Sequence, residues 1–131
     1  MASIFRMVCR PASLDGAPKG WVAATLRDGD VALQVDDGGL EAIDAAARTL
    51  DQVTVSIVRR EPTAEGQEQT VIAYAGSLPL IWVASRFSES VQGWAHDRGP
   101  MTLLIEAGGA LPDNERSRIG RFVALLARQT E

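Results

Sequence analysis

The chain has 131 residues, 17 acidic against 13 basic side chains, a formal net charge of −4, 46% hydrophobic residues, one cysteine and one histidine. That length suits one domain able to bury about two thirds of the surface its unfolded chain exposes, while a lone Cys9 excludes an intramolecular disulfide and, with a lone His96, a closed zinc centre. The acidic balance offers no long-range attraction to nucleic acid or to an anionic membrane, and no apolar run approaches the roughly 20 residues of a spanning helix.

In residues 4–8, Ile4, Phe5, Met7 and Val8 predict a first strand. Arg6 and Arg10 interrupt the apolar stretch too soon for a signal peptide, and the strand is a simpler reading than a mitochondrial transit peptide, whose composition the acid-free residues 1–14 also have. Every basic residue but Lys19 is arginine and alanine is abundant, a bias of GC-rich bacterial genomes; the single cysteine points to a reducing compartment, and the lack of a spanning run or a fitting signal peptide makes the cytoplasm the expected location. Residues 21–26 and 31–35 flank Arg27-Asp28-Gly29-Asp30, and Asp-Gly between alternating apolar positions predicts a β-hairpin with Val22, Ala24, Leu26, Val31, Leu33 and Val35 inward. Asp36-Asp37-Gly38-Gly39 then opens a helix marked on one side by Leu40, Ile43, Ala47 and Leu50. Two aspartates would repel a phosphate, so the glycine pair reads as loop and cap.

Val53, Val55, Ile57 and Val58 predict the next strand, and residues 70–75 its antiparallel neighbour. Residues 59–69, polar and holding Pro62 and Gly66, read as a mobile loop between the two. The strongest pattern covers residues 78–105, where two apolar runs, 78–84 and 101–105, enclose a punctuated helix. Ser88 is a preferred N-cap, Glu89 suits the first turn, Gly99-Pro100 is a stop, and Val91, Trp94, Ala95 and the Arg98 stem share one face. This predicts a β-α-β unit; the alternative is one helix from Pro79 to Arg98, which the β-favouring Ile81, Trp82 and Val83 oppose. Asp113 caps a last helix with the stripe Ile119, Phe122, Val123 and Leu126. The expected fold is α+β: a single domain over residues 1–131, a mostly antiparallel sheet built from hairpins plus one β-α-β unit, and about three helices.

Few residues carry a chemical pattern. On its predicted helix His96 lies away from Val91 and Trp94, and Asp97 at i+1 does not face it, so a solvated histidine is the simpler reading than an acid–base catalyst. Cys9 in an apolar strand reads as buried filler and not as a nucleophile. Asp28, Asp30, Asp36 and Asp37 lack the calcium-loop order, which fails at Ala32. Tyr74, Trp21, Trp82 and Trp94 read as packing residues. One junction remains: at residues 85–90 a strand end meets a helix N-terminus, where Arg86 with Ser85, Ser88 and Ser90 is expected to complete an anion cradle, against which stand Ser88 as a simple cap, the charge of Glu89 and the absence of nucleotide-loop glycines.

The leading functional expectation is therefore a small cytosolic interaction or accessory module, adaptor, chaperone-like or immunity-like. It has no evident catalytic site, metal or cofactor, and its partner is another protein or a second copy in a homodimer. The alternative is a small enzyme or an anion- or phosphoryl-ligand-binding domain with its site at Ser85, Arg86, Ser88 and Ser90.

Overall fold

The computed structural model describes residues 3–35, 38–51 and 53–129. Among them, five strands alternate with five α-helices: β1 (Phe5–Cys9), α1 (Lys19–Thr25), β2 (Gly29–Gln34), α2 (Gly39–Thr49), β3 (Thr54–Val58), α3 (Ala64–Ala75), β4 (Leu80–Ala84), α4 (Glu89–Arg98), β5 (Thr102–Glu106) and α5 (Asp113–Gln129). Short 3-10 turns lie at Pro11–Leu14 and Gly99–Met101. The strands form one sheet in the order β3-β2-β1-β4-β5, and every neighbouring pair is parallel. The fold is thus α/β with an all-parallel sheet and five helices, which overturns the expected α+β domain with an antiparallel sheet and about three helices.

Both faces of the sheet are covered. Phe5, Met7 and Cys9 of β1, Val31 and Leu33 of β2, Ile81 and Val83 of β4 and Ile105 of β5 pack under α1, α2 and α5 through Val22, Ile43, Ala46, Ile119, Val123 and Leu126. Val8, Ala32, Leu80 and Trp82, on the opposite face, pack under α3 and α4 through Val71, Ala75 and Val91. Burial on two faces is why β4 reads as a continuous apolar run, and β1 as one broken only by Arg6, instead of alternating.

The first expected hairpin fails because residues 19–25 are helical. Val22 and Leu26, four apart, are apolar in either period; the distinction lies between exposed Ala24 and buried Thr25. Asp28-Gly29 is no hairpin turn. Gly29 opens β2 beside Phe5, with which it is in register, and a β-carbon there would come within 2.3 Å of the Phe5 ring, so this glycine is required by close approach.

The second expected hairpin fails because the expected loop over residues 59–69 is helical from Ala64 onward and residues 70–75 continue that helix instead of forming a strand. Thr63 caps α3, its Oγ1 accepting from Gly66 N at 2.9 Å, and the helix runs through Ala75. The segment before it is tied down: Glu61 accepts from Arg59 Nε at 2.7 Å and from Thr70 Oγ1 at 2.9 Å, while the Gln67 side chain accepts from Glu61 N at 3.0 Å. These bonds, with Arg59 first, hold the Glu61 carboxyl below the usual carboxylate range. Only Val71 and Ala75 of α3 are buried, so its sequence carries little 3.6-residue periodicity.

Other expectations are met. α2 forms as read, although its buried side is Ile43, Ala46 and Leu50, with Leu40 left 77% exposed. Residues 80–98 are strand plus helix, Ser88 Oγ caps α4 by accepting from Val91 N at 3.2 Å, and Gly99 follows with φ 66°. Arg98 stacks over Trp94 at 4.8 Å and donates to Thr102 Oγ1 and to the Leu78 carbonyl, joining the end of α4 to both flanking strands. Asp113, expected as the N-cap of the last helix, is instead the first residue inside α5. No helix among the described residues is long and apolar enough to cross a membrane.

Candidate functional site

The strand order reverses between β1 and β4, because β2 and β3 are added on one side of β1 and β4 and β5 on the other. In open parallel sheets, ligands bind outside the C-terminal ends of the strands at such a point. The residues singled out from the sequence lie at one lip of it. After Ala84 the chain turns outward, and Phe87, only 8% exposed, anchors the connection edge-on to Trp82 with ring centroids 5.3 Å apart. The Phe87 carbonyl accepts from Gln92 Nε2 at 3.0 Å. Ser85, Arg86, Ser88 and Ser90 are all exposed on this held segment. The Ser88 hydroxyl is already engaged as the cap of α4.

The other lip is filled. After β1 the Pro11–Leu14 turn buries Ser13 and Leu14, and the Ser13 carbonyl accepts from the amide of buried Leu111 at 3.1 Å. A packed turn thus occupies the place where nucleotide-binding sheets carry a glycine-rich loop. Beside the lip that carries Phe87 a groove of about 400 Å³ is lined by Phe87, Gln92, Leu104, Glu106, Glu115 and Arg118, with Arg118 donating to Glu115 Oε2 at 2.9 Å. A second depression, about 290 Å³, lies between α1 and α2 against Lys19, Val22, Ala23, Arg48, Thr49 and Asp51. Neither is lined by Ser85, Arg86, Ser88 or Ser90.

The remaining candidates are scattered. Cys9 is fully buried in β1, and burial pushes its thiol up to about 12, so it stays protonated and unreactive near neutrality. His96 is exposed on α4. Trp82 is buried, and Trp21, Trp94 and Tyr74 are half-buried packing residues. Asp30 accepts from Ser3 Oγ at 2.7 Å, whereas Asp36 and Asp37 lie outside the described residues. The Arg6 guanidinium sits 4.8 Å over the Tyr74 ring and donates to the Tyr74 carbonyl. Burial, and after it the negative charge of Asp30, raises the Tyr74 hydroxyl, with Arg6 opposing. Among the described residues no three His, Cys, Asp or Glu side chains are grouped to hold a metal ion.

A feature that sequence reasoning missed is the free edge at β3. Thr54, Ser56 and Ile57 are exposed, Val55 is half-buried, and only Val58 is buried. Ile57, 57% exposed, is in register with fully buried Leu33 and so lies on the face that carries α2. The signal was present: Thr54-Val55-Ser56-Ile57-Val58 has no charge, no proline and no glycine, the devices by which edge strands are normally protected. It went unread because an antiparallel neighbour was expected on that side. Comparison with known proteins finds no matching family model, no similar curated protein and no similar solved structure.

Proposed function

We propose that the protein is a small interaction module of the bacterial cytoplasm, an adaptor, chaperone-like or immunity-like accessory, that works as a homodimer assembled through the open edge of β3. The observation that carries this is the bare strand itself. It presents unpaired backbone groups on one side and an uncovered Ile57 on one face, where a monomer would ordinarily place a lysine, a proline or a covering helix. Leu40, exposed at the start of α2, adds apolar surface on the side of the sheet that Ile57 faces. Light scattering on the purified chain should give twice the chain mass, and Ile57→Lys should give a folded monomer. A wild-type chain that stays monomeric at its highest soluble concentration overturns this reading.

One observation favours a second reading, a small anion or phosphoryl ligand at Ser85, Arg86, Ser88 and Ser90: the reversal of strand order places that segment where open parallel sheets bind ligands. A charge-assisted hydrogen bond to an anion is worth about 1.5–3 kcal/mol, so Arg86→Ala should weaken binding roughly ten- to a hundredfold. Because Arg86 is exposed, the melting temperature should not move. Calorimetry with phosphate, sulfate and a nucleotide tests it; absence of binding at millimolar concentration ends the reading.

A further inference from the structure

The β3 edge carries an asymmetry of charge along its length. No charge lies within Thr54–Val58, exposed Asp51 precedes the strand, and exposed Arg59 and Arg60 follow it. Glu61, the acid nearest that end, pairs with Arg59 and accepts from Thr70, which leaves Arg60 as the net positive charge there. The strand is therefore negative at its start, positive at its end and apolar or hydroxylic between. Lying beside a second copy in the same direction, it would set Asp51 against Asp51 and arginines against arginines, and like charges at neighbouring strand positions destabilise pairing. Reversing the second copy brings opposite charges together at both ends.

We infer that two copies join β3 to β3 antiparallel across a two-fold axis through Ser56; the inference rests on the self-association proposed above. This register sets Asp51 of each chain opposite Glu61 of the other, whose carboxylate is held by its own Arg59 and Thr70, and leaves the neighbouring Arg60 as the charge diagonal to Asp51 with which it pairs. Ser56 is the centre of the strand, so this register pairs all five residues. It sets Val55 of one copy opposite Ile57 of the other, on the face that carries α2, and thereby covers the side chain left exposed. Ser56 hydroxyls meet each other on the opposite face. The product is a continuous ten-stranded sheet, parallel within each chain and antiparallel at its centre.

The test is a charge exchange. Asp51→Lys and Arg60→Glu each turn both symmetry-related ion pairs into repulsions, so sedimentation equilibrium should show either variant dimerising at least about tenfold more weakly, and the double variant returning close to wild type. The neutral Asp51→Asn and Arg60→Gln changes should weaken the dimer less, and added salt should weaken the wild type but not these neutral forms. Both positions are exposed, so thermal melts at concentrations low enough for every form to be monomeric should be unchanged. A dimer that Ile57→Lys breaks, but that either charge reversal leaves intact or the double variant fails to restore, overturns the antiparallel register while leaving self-association standing. A monomeric wild type overturns both.

Discussion

The two edges of the sheet are built from similar strands and end differently. β5, Thr-Leu-Leu-Ile-Glu, is packed by both α4 and α5; Leu103 and Leu104 are half-buried, Ile105 is fully buried, and the strand closes on a charged Glu106. Arg98 binds Thr102 at its start, and the amide of Ala107 extends the ladder to the Ala84 carbonyl at its end. β3, Thr-Val-Ser-Ile-Val, has one neighbouring strand and little else over Thr54, Ser56 and Ile57. An isoleucine thus serves as core at one edge, Ile105, and as surface at the other, Ile57. What decides is whether helices lie over the strand, as the preceding α4 and the following α5 do at β5, or leave it, as α3 does when it carries the chain toward β4.

The largest expected effect comes from making one substitution at both edges. Ile105→Ala, at a fully buried site, should cost about 2–5 kcal/mol, whereas Ile57→Ala should cost less than about 1 kcal/mol in the monomer because that side chain keeps most of its contact with water. Urea unfolding of both variants at low protein concentration measures the difference. Equal losses would mean that β3 is covered in the monomer after all.

A middle-sized effect should follow from loosening β5 at its start. Arg98→Met keeps the apolar stem over Trp94 but removes the donors to Thr102, Leu78 and Gly76, and about 1–2 kcal/mol should be lost. Faster amide exchange in β5 than in β4 would accompany the loss, and its absence would show that these bonds do not secure the edge.

The smallest effect belongs to the β3 side. Glu61 has a folded carboxyl depressed below its unfolded value, through Arg59 first and Thr70 second. Its contribution is therefore present above the unfolded pKa, about 4.3, and is lost as pH falls through the lower folded value. Glu61→Gln should slightly lower stability at neutral pH, leave it unchanged below the folded value, and so flatten the acid limb between those two values. A steeper acid limb in the variant would contradict the assigned direction.

Much of the molecule was readable locally. Ser88, Glu89 and Gly99 marked α4 because capping depends on neighbours within one turn, and the stripe Ile119, Phe122, Val123, Leu126 marked α5 because its partner surface is continuous. α1 and α3 were missed for opposite reasons. Seven residues with Val22 and Leu26 apolar satisfy both periods, whereas α3 buries so little that it shows no period. Of the candidate site, the exposure of Ser85, Arg86, Ser88 and Ser90 and the helix start beside them were legible, but the filling of the opposite lip by Pro11–Leu14 against Leu111 joins segments about 100 residues apart in the chain and has no local signature.

By itself the sequence determined where each of the five strands and three of the helices lie, because hydrophobic periodicity, capping residues and glycine stops act over a few residues. Only the tertiary structure decided that every strand runs parallel. A run such as Val53-Thr54-Val55-Ser56-Ile57-Val58 has the same propensity in either direction, and its neighbours depend on where α3 carries the chain next. The tertiary structure likewise decided that β3 ends the sheet, because an edge is a property of the assembled order and not of any strand alone.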